Sequence, residues 1–144
     1  VAATPESIDL TYLAARAASA GKATSITAID VSERLVLTDV FLIVSGSSER
    51  QVRGLVDDIE EAMYKAGHER LRREGLEGEA RWVLLDYGGL MVHVQHDEDR
   101  EFYALEKLWG DQPQIELPDD VTVEEPETSD LAQYFQPVFD EGDD

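Results

Sequence analysis

Residues 81–94 read Arg81-Trp82-Val83-Leu84-Leu85-Asp86-Tyr87-Gly88-Gly89-Leu90-Met91-Val92-His93-Val94. How this stretch pairs with itself decides the fold. Two β-prone runs flank Gly88-Gly89, a two-residue turn of the kind that closes tight hairpins, because both positions tolerate positive φ. With that turn Tyr87 opposes Leu90, Asp86 opposes Met91, Leu85 opposes Val92 and Leu84 opposes His93. Alternation along each strand then assigns the faces. One face carries Val83, Leu85, Leu90, Val92 and Val94 and must be core. The other carries Trp82, Leu84, Asp86, Met91 and His93. A three-residue turn, Tyr87-Gly88-Gly89, would mix Trp82 with Leu90 and Val92. The two-residue turn is preferred because it yields one clean apolar face. Residue types alone leave the mixed face open to two main readings, with a catalytic pocket a distant third. It is a docking surface, an apolar anchor rimmed by an acid and an imidazole, or it is core under a helix with His93 hydrogen-bonded inside.

Working outward, the continuous apolar run Val40-Phe41-Leu42-Ile43-Val44 predicts a strand buried on both faces. Ser48 and Gln51 then have capping-box spacing. A helix follows to about Ala66, with Val52, Leu55, Val56, Ile59, Met63 and Ala66 as its apolar stripe. Residues 68–80 are polar, hold Gly75 and Gly78, and are expected as loop. Beyond the hairpin, Asp97 or Asp99 starts a helix through Trp109, with Phe102, Leu105 and Trp109 on one side. Toward the N-terminus, Thr4-Pro5-Glu6-Ser7 is a helix start. Ile8, Tyr12, Ala15 and Ala18 fall on one face of that helix, and Gly21 ends it. Residues 26–32, ITAIDVS, alternate as a half-exposed strand does. The expected architecture is α+β: a mixed β-sheet packed with α-helices over residues 1–110.

Charge divides the 144 residues unevenly. Twelve of the 32 acidic residues, and none of the twelve Lys and Arg, lie beyond Gly110. Residues 111–144 are therefore expected as an acidic, flexible tail, with an apolar aromatic stretch at 134–139. The body remains acidic too. Direct grip on nucleic acid normally needs a basic surface, and the one basic cluster, Arg70, Arg72 and Arg73, sits beside Glu69 and Glu74. A basic protein partner suits such a body better. Cysteine is absent, which excludes disulfides and thiolate chemistry. No run approaches the ~18 apolar residues of a membrane span. A soluble, cytoplasmic protein is expected.

Catalytic constellations are weak. Val44-Ser45-Gly46-Ser47-Ser48 could offer backbone N–H groups to a phosphate, and Gly-Ser after a strand opens the nucleotidyltransferase signature. That chemistry needs paired carboxylates on the next strand to hold metal; here Glu49 and Arg50 follow instead. Asp57 and Asp58 are about 100° apart on a helix. Asp97-Glu98-Asp99 reads better as a helix start. His93 and His96 point to opposite faces of a strand, and His68 does not join them. No metal, cofactor or catalytic residue is expected.

The blocks at 39–52, 82–89, 93–94 and 100–109 together resemble the ribosomal silencing factor (Iojap) family, in order, through residues 5–110. Gly89 departs from the family, which often has Asp there. The resemblance implies a nucleotidyltransferase-like fold without catalytic carboxylates, and often a homodimer. It implies binding of large-subunit ribosomal protein fourteen and a block to joining of the two ribosomal subunits, which represses translation. The face around Trp82, with Leu84, Asp86, Met91 and His93, is implied as the docking surface. The alternatives are a small nucleotidyltransferase-like enzyme and a generic acidic adaptor that binds through its tail.

Overall fold

The computed structural model describes residues 2–123, so the aromatic stretch 134–139 lies outside the described residues. Among the described residues four helices and five strands follow in the order α1 (Pro5–Ala20), β1 (Ser25–Asp30), β2 (Val40–Gly46), α2 (Glu49–Lys65), β3 (Arg72–Glu74), β4 (Trp82–Asp86), β5 (Leu90–His96), α3 (Asp97–Tyr103) and α4 (Leu105–Leu108). The strands form one sheet ordered β1-β2-β5-β4-β3. The β2–β5 pair is parallel and the other pairs are antiparallel. This is the mixed α+β sheet expected from the pattern.

The hairpin register is the one that alternation requires: Leu84 pairs with His93, Leu85 with Val92 and Asp86 with Met91. Tyr87 N–H donates to the Leu90 carbonyl at 2.9 Å and closes the turn. Val83, Leu85, Leu90, Val92 and Val94 are all fully buried. They meet the α2 stripe of Val52, Leu55, Val56, Ile59 and Met63 and the α1 alanines 14, 15 and 18 in the larger of two apolar clusters. β2 is buried along its whole length. It sends Leu42 and Val44 into that cluster and Phe41 and Ile43 into the smaller one on the opposite face.

The caps are local and legible. Thr4 Oγ1 accepts from Ser7 N–H, and Ser48 Oγ from Gln51 N–H, each at 3.1 Å. Gln51 reaches back one residue further than a capping box requires, with its Oε1 accepting from Ser47 N–H at 2.7 Å. That contact occupies a backbone donor that a phosphate would need at this turn.

Only one of the two turn glycines uses positive φ. Gly88 has φ 83°, and its N–H donates to Asp86 Oδ1 at 2.8 Å. Gly89 is needed for space: an added Cβ would lie 2.2 Å from Ser7 Oγ. Ser7 Oγ in turn donates to Asp39 Oδ2 at 2.8 Å. The α1 start thus packs on the hairpin turn and leaves no room for a side chain at position 89 unless Ser7 moves. Gly89→Asp is expected to destabilise the fold by about 1–3 kcal/mol through overpacking. In a urea-unfolding double-mutant cycle, Ser7→Ala should then cost less beside Gly89→Asp than alone, because the clash is relieved. Strict additivity would refute the contact.

Several expectations are corrected. Residues 72–74, expected as loop, are strand β3, exposed at all three positions. An exposed Arg-Arg-Glu has no strand pattern of its own; the free edge of β4 supplies the pairing. The α1 face is rotated: Ser7, Thr11, Ala14, Ala15 and Ala18 are buried, while Ile8 and Tyr12 are only half-buried. Small side chains let α1 approach closely, and the Tyr12 hydroxyl turns outward to the Glu116 carbonyl at 3.4 Å. Ala66, placed in the α2 stripe, is the exposed C-cap. The last helix is interrupted at Ala104, which has φ 48° and ψ 53°. Its N-cap is His96, whose Nδ1 accepts from Glu98 N–H at 3.1 Å. The interruption separates Phe102, 80% exposed, from Leu105, 8% exposed.

The first part of the segment beyond Gly110 runs along the body. Asp30 N–H donates to the Pro113 carbonyl and Ile115 N–H to the Ala28 carbonyl, both at 2.8 Å, along the outer edge of β1. Ile115, Leu117 and Val121 pack against the larger cluster. Arg16 pairs with Asp120 at 3.0 Å.

Candidate functional site

Trp82, Leu84, Asp86, Met91 and His93 share the second face of the sheet, as register dictates, but they do not share one environment. Helices α3 and α4 cross this face. Leu105 of α4 joins Ile29, Val31, Phe41 and Ile43 in the smaller cluster, with Leu35, Trp82, Met91 and Trp109 packed at its margin. The cover is thin, for α3 has no buried residue. Trp82, Leu84, Asp86 and Met91 all stay partly exposed.

Trp82 sits at the boundary between covered and open sheet. Its ring lies 4.8 Å from that of Tyr103, centroid to centroid, and Tyr103 stacks edge-on with Phe102 at 4.9 Å. The indole Nε1–H donates to His93 Nδ1 at 3.1 Å. With its donor satisfied inside the protein, the ring offers carbon to the outside. The cover of the mixed face is thus partial: α3 touches the indole through Tyr103, yet does not seal it.

Of the two places the residue types leave open for His93, rim or interior, the structure shows the interior: it is buried at 8% exposure. Its ring meets Phe41 edge-on at 4.7 Å. Burial lowers its pKa to about 4, so the imidazole is neutral near pH 7. Its Nε2 finds no hydrogen-bond partner among the described residues.

Asp86 remains at the rim with a structural duty. One oxygen holds the hairpin turn, and the other lies 4.0 Å from the Arg72 guanidinium. Antiparallel pairing puts Arg72 opposite Asp86 and Glu74 opposite Leu84, so Arg72 and Glu74 extend the same face. The basic cluster read as a solvated loop is tied to acids. Arg73 pairs with Glu60 at 3.0 Å, Arg70 pairs with the same carboxylate, and Arg72 with Glu74 at 3.5 Å. The sequence reading missed Phe102 and Tyr103 as neighbours of Trp82. The adjacent aromatics were visible, but the break at Ala104 that turns Phe102 outward was not.

The acids of the Asp97-Glu98-Asp99 run have other partners. Asp99 pairs with Arg81 at 2.7 Å, and Asp97 accepts from the Thr24 hydroxyl. Among the described residues, no group of three or more His, Cys, Asp or Glu could hold a metal ion, and no helix is long and apolar enough to cross a membrane. The face is thus an apolar patch of Trp82, Leu84 and Met91, flanked by Asp86, Arg72 and Glu74 and by the Phe102–Tyr103 pair. Such a patch suits contact with another surface more than it suits turnover of a small molecule.

Comparison with known proteins identifies the family and the fold. The profile of the family described as "Ribosomal silencing factor during starvation" matches residues 4–138. A relative from Halalkalibacterium halodurans named ribosomal silencing factor is 41% identical over 109 residues, covering 76% of this chain and 92% of that protein. A mouse relative named "Mitochondrial assembly of ribosomal large subunit protein 1" is 36% identical over 92 residues, covering 60% of this chain and 39% of that one. A crystal structure of a Chromobacterium violaceum protein superposes with a TM-score of 0.69 at 32% identity, covering 72% of this chain and 85% of that chain.

Proposed function

The chain belongs to the ribosomal silencing factor family, whose members are regulatory and ribosome-associated, and from that premise we propose that its second sheet face docks on large-subunit ribosomal protein fourteen and sterically prevents the small subunit from joining. The observation that carries this reading is the partly exposed indole of Trp82, its N–H satisfied internally, on the same sheet face as the partly exposed Leu84 and Met91. A large aromatic with apolar neighbours and a polar rim is the usual composition of an interface anchor. Asp86, already near Arg72, can accept from a second cation supplied by the partner. The net charge of -20 disfavours bare RNA and steers approach toward basic protein. The bound body then occupies volume that the small subunit needs, and no chemical step is required.

Sedimentation tests the proposal. Large subunits preincubated with the protein and then mixed with small subunits should yield fewer joined ribosomes on a sucrose gradient, with the protein travelling in the large-subunit fraction. Undiminished joining with the protein bound would overturn the steric mechanism. Absence of the protein from that fraction would overturn the docking.

A further inference from the structure

We propose that His93 is a positioning residue for Trp82: its buried Nδ1 holds the indole N–H inward, so that the apolar part of the ring is presented to the docking partner. The inference rests on the docking reading above and assigns one residue of that surface an indirect role. His93 lies in the middle of β5, opposite Ile43 of β2 and Leu84 of β4. Trp82 pairs with Gln95 and is therefore the diagonal neighbour of His93 on the same face. The 3.1 Å contact from Trp82 Nε1–H to His93 Nδ1 defines the tautomer. A neutral imidazole that accepts at Nδ1 carries its proton on Nε2.

That Nε2–H is buried with no partner among the described residues. Fold stability alone does not favour such an arrangement, because a buried unsatisfied donor is costly and an apolar side chain of similar size carries none. The edge-on contact with the Phe41 ring at 4.7 Å would also be served by an aliphatic residue. What the imidazole supplies, and an aliphatic cannot, is an acceptor aimed at the indole. Without it the Trp82 N–H loses its partner at the margin of the cluster. The ring would then turn its polar edge toward water, leave Tyr103, and spoil the carbon surface offered outward.

Two substitutions separate positioning from packing. His93→Leu keeps the apolar contacts and removes the acceptor. His93→Asn restores an acceptor oxygen near the place of Nδ1 in a smaller side chain. In the full chain, His93→Leu should melt no lower than the wild type, yet bind isolated ribosomal protein fourteen about tenfold more weakly or worse. His93→Asn should recover most of the affinity whatever its melting temperature. The indole N–H resonance of Trp82 gives a readout that does not involve the partner: slow solvent exchange in the wild type and in His93→Asn, fast exchange in His93→Leu. An unchanged exchange rate in His93→Leu overturns the positioning contact. Trp82→Ala serves as reference. If it loses binding while His93→Leu does not, the positioning role fails and the docking reading survives. If neither loses binding, both fail.

Discussion

Trp82→Ala is expected to weaken binding to isolated ribosomal protein fourteen by about 2–4 kcal/mol, roughly 30- to 900-fold, the range of a central aromatic anchor. The indole is the largest side chain on the open part of the face, and it bridges the covered and uncovered halves of the sheet. Truncation removes the contact with Tyr103 at 4.8 Å and leaves His93 Nδ1 without its donor. Some loss of fold stability should accompany the loss of binding, so the melting temperature must be measured beside the affinity. Trp82→Phe refines the test. It keeps most of the apolar surface and removes the N–H, and should fall between the wild type and the alanine variant. A folded Trp82→Ala protein with wild-type affinity would mean that the docking surface lies elsewhere.

Acid should destabilise the protein through His93 by about 2–3 kcal/mol between pH 7.5 and pH 4.5. The sign follows from burial. The folded imidazole has its pKa lowered to about 4 from 6.5, so between those values the unfolded chain binds a proton that the folded protein refuses. Stability is therefore undiminished above pH 6.5, falls as pH drops toward 4, and levels below it. Burial is the cause of the shift. The rings packed against the imidazole, Phe41 and Trp82, carry no charge to offset it. The measurement is urea unfolding of the wild type and His93→Leu across this range. Comparing the two cancels the many surface carboxylates, whose protonation relieves self-repulsion in an acidic chain and acts in the opposite direction. Parallel pH profiles would show that His93 titrates normally and is not sealed. Binding offers a second contrast. A rim histidine would make docking change near pH 6.5, whereas a sealed neutral one leaves it flat through the neutral range.

The parts of this molecule legible in its residues are those with short-range causes. The hairpin register came from alternation around Gly88-Gly89, the burial of β2 on both faces from an unbroken apolar run, and two helix starts from Thr4 and Ser48. Each signal spans a few residues and names its own partner or face. The five residues of the candidate site were gathered onto one face by the same alternation. What alternation could not reveal was their depth. Trp82 and His93 lie on one face, yet one borders solvent and the other is sealed, because α3 and α4 cross only part of the sheet.

Other features had no local cause to read. β3 is a strand because β4 has an open edge, although Arg-Arg-Glu shows no strand pattern. The turn at Ala104 puts a non-glycine residue in the left-handed region, which sequence patterns disfavour, and it sends Phe102 outward. Arg70 and Arg73 meet on Glu60 only once α2 lies over the sheet.

By itself, then, the chain determined the pairing of the β4–β5 hairpin, the faces of its two strands and an acidic character, since pleat period, turn chemistry and charge count belong to neighbouring residues. Only the tertiary structure decided that His93 is neutral and buried, that Gly89 yields to Ser7, and that the indole is half covered. These depend on residues distant in sequence approaching within van der Waals reach, and no local pattern encodes that distance.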